Sequence, residues 1–154
     1  MVHSVEPDAY AELADLILNV GRLIRARTPT GAEAVTLTET ERQVMRVVDL
    51  HPGCAPSEIA QRTRLQRTNV STTLRSLEVK GMIVRTASGG RGVAVTATDF
   101  AAANLRRLHY AWSYQLGDVL RDDLDAVHEC NRLLSRLERR LITAPDAAQP
   151  ANDP

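Results

Sequence analysis

Between Arg67 and Arg75 the side-chain types and their spacing suit recognition of a polyanion. At about 100° per residue along a helix, Val70, Leu74 and Leu77 fall on one face. Thr68, Ser71, Thr72 and Arg75 fall on the opposite face, with Arg67, Asn69 and Ser76 on the flanks. Short hydroxyl and amide groups interleaved with guanidinium are the side chains that donate to phosphates and base edges. A helix that is merely solvated more often carries Glu and Lys at four-residue spacing. Arg91 stands apart from this helix, in the run Ser88-Gly-Gly-Arg-Gly92. A cation on a glycine-rich tip is suited to reach an adjacent minor groove.

Other chemistries find little support. There is no Gly-x-Ser-x-Gly, no P-loop and no Gly-x-Gly-x-x-Gly, and no nucleophile stands at a useful spacing from a base, so the chain reads as a non-enzyme without a cofactor. Asp122, Asp123 and Asp125 sit at a helix start, where acids complement the macrodipole. His51, Cys54, His109 and His128 lack the tight spacing of metal ligands, so no metal site is expected. Cys54 lies in a loop, where a thiolate would be open to oxidants. Cys130, on a helix, reads as a small packing residue. Two cysteines are too few for a disulfide framework.

The reading helix needs a frame, and the pattern supplies one. Residues 8–27 repeat apolar side chains at helical spacing from Leu13 to Ile24, and Pro29 and Gly31 end that run. Thr38-Glu-Thr-Glu41 is a capping box opening a second helix, which His51-Pro-Gly53 stops. Pro56 suits the first turn of a short third helix fading near Thr63. The turn Arg64-Leu-Gln66 then leads into the helix Arg67–Lys80, with Gly81 as a left-handed C-cap. Residues 82–86 and 93–96 read as a hairpin around the glycine-rich tip. Thr98-Asp99 caps a long helix in which Gly117 is a weak point, and a last helix spans about 123–142. A short helix, a turn, a second helix and a hairpin make a winged helix-turn-helix.

Composition agrees with a small ordered protein. The chain has 154 residues, of which 44% are hydrophobic and only 3% aromatic, so its core must be aliphatic. The formal net charge of +0 hides a segregation. Residues 54–92 carry seven basic side chains against Glu58 and Glu78, a local +5, flanked by −3 and −2. A basic middle between acidic ends fits a nucleic-acid reader. No apolar run is long enough to span a membrane, and the acidic start does not resemble a signal peptide, so a cytoplasmic protein is expected.

The stretch from Pro56 to Arg85, PSEIAQRTRLQRTNVSTTLRSLEVKGMIVR, resembles the central signature of the MarR family of bacterial transcription factors. The order of elements over about residues 8–143 is similar too. The resemblance implies a mainly α protein with an α+β winged helix. Residues 1–35 would be an N-terminal helix of a dimerisation lobe, and 36–98 the winged helix-turn-helix DNA-binding domain. Residues 99–143 would supply the C-terminal helices of that lobe. Residues 144–154, with three prolines and no large apolar side chain, read as a disordered tail. The resemblance further implies a homodimer on a palindromic double-stranded operator, most simply a repressor. A small aromatic or amphipathic effector would bind between the lobes. The implied DNA-contacting residues are Arg67, Thr68, Asn69, Ser71, Thr72, Arg75 and Arg91. The family's wing motif Asp-x-Arg is matched here by Gly89-Gly90-Arg91, and Gln66 stands where a capping residue is usual. The alternative is a dimeric scaffold or ligand-binding protein of the same fold with weak or lost operator binding.

Trp112, with Tyr110 and Tyr114, is the densest aromatic cluster. Its place on an apolar stripe suits core packing, or the wall of an effector pocket. Asn131 falls near the seam of the last helix, where it would set register in a helix interface or simply be exposed.

Overall fold

The computed structural model describes residues 7–90 and 92–144. Six helices and one hairpin follow in the order α1 (Pro7–Arg27), α2 (Glu39–Leu50), α3 (Pro56–Thr63), α4 (Arg67–Val79), β1 (Ile83–Ser88), β2 (Gly92–Ala97), α5 (Asp99–Val119) and α6 (Leu124–Thr143). The protein is mainly α, with one two-stranded antiparallel sheet. The tail read as disordered lies outside the described residues, apart from Ala144, the C-cap of α6.

Local signals in the sequence set most of the boundaries. The Thr38 hydroxyl accepts from the Glu41 amide at 3.2 Å, and the Glu41 carboxylate accepts from the Thr38 amide at 2.7 Å. Pro56 opens α3. At the end of α4, Gly81 takes φ +71°, and the Met82 amide reaches back to the Leu77 carbonyl at 2.9 Å. That closure uses Met82, so β1 starts one residue later than its apolar run. Thr98 accepts from the Ala101 amide at 3.1 Å and also ties the wing's base by donating to the Gly81 carbonyl at 2.7 Å. α5 continues through Gly117 to Val119.

One core holds the middle of the chain. Val44 and Val48 from α2, Ile59 from α3, Leu74 and Leu77 from α4 and Val95 from β2 meet with almost no exposed surface. The hairpin pairs Ile83 with Ala97 and Ser88 with Gly92, and only its base is covered. Cys54 bridges to Val95, which seats the loop after α2 against β2.

The helices outside residues 37–101 are differently placed. α5 buries Ala101, Asn104 and Leu108 near its start, while α6 buries none of its residues. Cys130 is exposed on α6, which corrects its reading as a packing residue, and Asn131 is exposed there too. Tyr110 and Tyr114 point outward. Asn104 acts like a peptide group for the loop before α2. It accepts from the amides of Ala34 (2.6 Å) and Val35 (3.0 Å) and donates to the Val35 carbonyl at 3.1 Å. Among the described residues, no helix is long and apolar enough to cross a membrane.

Candidate nucleic-acid interface

The second helix of the pair presents the face that its sequence implies. Val70, Leu74 and Leu77 are buried, whereas Arg67, Thr68, Asn69, Ser71, Thr72 and Arg75 are all exposed. Thr73, which the sequence reading left unassigned, is buried because its hydroxyl is satisfied by the Asn69 carbonyl at 2.8 Å. Thr72 donates likewise to the Thr68 carbonyl at 3.1 Å, leaving its lone pairs and methyl group to face outward. Gln66 makes no capping bond and no acid occupies the first turn, so the positive end of the α4 dipole meets solvent beside Arg67.

The cations of this segment divide into engaged and unengaged groups. Lys80 pairs with Glu41 at 2.7 Å, and Arg85, on β1, pairs with Glu78 at the end of α4. Arg64 sits in the turn with φ 56°, a costly conformation for a residue with a Cβ. Its guanidinium donates to the carbonyls of Leu141, at 3.1 Å, and Ala144 at the end of α6. The local charge of +5 therefore overstates what the surface offers. Among the described residues, no hydrogen bond or ion pair engages the side chain of Arg67 or Arg75. Arg91, the wing residue singled out from the sequence, lies outside the described residues.

Glu41 does more than cap α2. Its carboxylate accepts from the Ser76 hydroxyl and the Lys80 ammonium, both at 2.7 Å, so it joins α2 to the outward-facing helix. The side chain is buried, and burial alone would raise its pKa. The Lys80 ammonium, the Thr38 amide and the Ser76 hydroxyl reverse that and hold the carboxyl at about 2. The capping box was visible in sequence, but the Ser76 and Lys80 bonds join residues more than thirty positions away.

A second feature lies between α2 and α5. A cavity of about 270 Å³ is lined mainly by apolar side chains, among them Met45, Met82, Leu108 and Trp112. Trp112 is half-buried there rather than in the core. Its indole Nε1 donates to the Thr28 hydroxyl at 3.0 Å, which links α5 to the end of α1. His109 stacks on it at 5.8 Å with a tilt of 34°. Cys54 is buried, and burial together with the charge of Glu58 pushes its thiol pKa up, which disfavours the reactive thiolate. No cluster of His, Cys, Asp and Glu able to hold a metal occurs among the described residues.

Comparison with known proteins bears on this arrangement. The MarR family's profile matches residues 35–92, the segment from the loop before α2 to the start of β2. The HTH-type transcriptional repressor Rv2887 of Mycobacterium tuberculosis is 30% identical over 88 residues, which are 57% of this chain and 63% of that protein. The match thus spans less than two thirds of that relative's length. A crystal structure of Rv2887 in complex with p-aminosalicylic acid superposes with a TM-score of 0.56 at 27% identity, covering 81% of this chain and 97% of that one. Over residues 35–92 the chain is similar to the MarR family, and it shares the fold of that family's solved structures. A MarR family protein from Bacillus stearothermophilus, at 14% identity, shares the fold with a TM-score of 0.69 over 90% of this chain and 99% of its own. In this chain α3 and α4 form a helix-turn-helix, and β1 and β2 form the hairpin that follows it as a wing. Rv2887 has also been crystallised with salicylic acid.

Proposed function

We propose that this protein is a sequence-specific DNA-binding transcriptional regulator, a repressor that works as a homodimer and is released by a small-molecule effector. One observation carries the reading: Arg67 and Arg75, unengaged, flank short hydrogen-bonding side chains on the solvent face of α4. In a major groove, Arg75 can fork onto a guanine edge, while Thr68, Ser71 and Thr72 contact base edges or methyl groups. A DNA phosphate at the uncapped start of α4 would supply the anion that Gln66 does not. Arg91 would add a minor-groove or phosphate contact from the wing. A two-fold dimer would set two such helices about 34 Å apart, one turn of DNA, and so demand a palindromic operator.

The effector site in this reading is the cavity at Trp112. It lies between α5 and α2, which Glu41 bonds to the reading helix α4, and Trp112 also ties α5 to α1. A small aromatic or amphipathic ligand bound there would weaken operator binding only by its difference in affinity between the two arrangements of the lobes. The salicylates held by Rv2887 support a ligand of this size.

Fluorescence anisotropy on an operator series at several salt concentrations tests the reading. Arg75→Ala is expected to cost about 1–3 kcal/mol and to relax preference at one base position. Arg91→Ala should weaken binding on all sequences and lower the salt slope by about one unit. If Arg75→Ala changes neither affinity nor preference, α4 is not the reader. The fold would then serve as a dimeric scaffold or ligand-binding protein without operator binding.

A further inference from the structure

The cavity between α2 and α5 favours one sign of charge. Two guanidiniums border it, and both are committed. Arg42 forks onto the two oxygens of Glu33 at 2.6 and 2.8 Å, and Arg46 onto those of Glu138 at 2.8 Å each. The other ionisable groups on its wall are Asp49 from α2 and His109 from α5. Among the described residues, no hydrogen bond or ion pair engages the Asp49 carboxylate. Burial pushes its carboxyl above the usual range, partly offset by the charge of His109. An entering anion would worsen this unpaired charge. To reach Arg42 it would have to displace Glu33, whose side chain is only 8% exposed. An entering cation would find a carboxylate with no hydrogen bond or ion pair, beside the indole face of Trp112.

We propose that the cavity takes an organic cation, an aromatic ammonium or amidinium whose ring lies on the apolar wall and whose nitrogen meets Asp49. This class is opposite in charge to the salicylates of Rv2887, and it rests on the reading of this cavity as the effector site. Asp49 is then the residue that sets ligand charge, and Glu33 acts by keeping Arg42 occupied.

The test uses the full-length chain and its single tryptophan. Fluorescence of Trp112 is titrated with 4-tert-butylbenzylamine and with its matched anion, 4-tert-butylbenzoate. The amine should bind at least about tenfold more tightly, the size of one charge-assisted contact. Asp49→Asn should bring the ratio near one, and Glu33→Gln should shift it toward the benzoate by freeing Arg42. Melting curves of both variants check that they fold. Equal or tighter binding of the benzoate overturns the proposal, as does a preference that survives in Asp49→Asn, or no response of Trp112 to either compound. The same titrations in the presence of operator DNA separate the two readings. Asp49-dependent amine binding that leaves DNA affinity unchanged upholds the ligand class and removes the regulatory role of the site.

Discussion

The winged segment and the terminal helices both carry regular apolar stripes, yet only one of them buries what it carries. Ile59 on α3 and Leu77 on α4 have no exposed surface, because three short helices and the base of the wing enclose a common centre. Leu16 on α1 is 54% exposed and Leu124 on α6 is 62% exposed, although both stand on apolar stripes at helical spacing. α6 touches the winged segment through polar contacts at its far end, Glu138 with Arg46 and the last carbonyls with Arg64. A groove of about 1020 Å³ separates α6 from α2 and α3. Helical periodicity therefore says that a face will be covered, and leaves open by what. The cover proposed here is a second copy of the chain, whose matching helices would remove these stripes from water.

The comparison can be broken most severely at assembly. Removing residues 123–154 should abolish the dimer, and the intact chain should sediment at twice its 16.9 kDa. An intact chain that sediments as a monomer would take away the two-half-site mechanism.

The next effect is on stability. Ile59→Ala should lower unfolding free energy by about 2–5 kcal/mol in chemical denaturation, since the cavity it leaves is enclosed on all sides. Leu16→Ala in the intact chain should change the unfolding free energy of the winged segment very little and act instead on the dissociation constant of the dimer. A large loss of winged-segment stability in Leu16→Ala would show that the two regions share one core.

Glu41 should make stability depend on acid. Its carboxyl is held near 2 in the folded chain against an ordinary value of 4.5, so the folded state favours the ionised form. Its contribution, on the order of 3 kcal/mol, is present above about pH 4.5 and is lost as pH falls toward 2. Glu41→Gln should be less stable at neutral pH, and its stability should fall less between pH 5 and pH 3 than that of the native chain. Equal acid sensitivity in denaturation at the two pH values would refute the role given to this carboxylate. The smallest effect belongs to α4. Gln66→Ser should stabilise the chain by about 0.5–1 kcal/mol in thermal melts by supplying the absent cap.

Much of this is legible in the sequence. Thr38 and Glu41, Pro56, Gly81 and Thr98 set helix ends through bonds to residues within a few positions, so their identity in the chain was enough. The inward and outward faces of α4 followed from helical geometry alone. The charge count misled because it could not see that Arg85 faces Glu78 or that Lys80 faces Glu41. Trp112 falls on an apolar stripe, but nothing in its neighbours along the chain distinguishes a core position from the wall of a cavity.

The sequence by itself determined what depends on neighbours along the chain: element types, caps, the polar face of α4 and the basic bias of the middle. Tertiary structure decided what depends on partners distant in sequence. It brought Ser76 and Lys80 to Glu41, aimed Arg64 at the end of α6, and set Asp49 beside an apolar hollow near His109. A hydrogen bond or ion pair requires two groups within a few ångströms, and only the packing of whole elements brings residues so far apart along the chain to that distance.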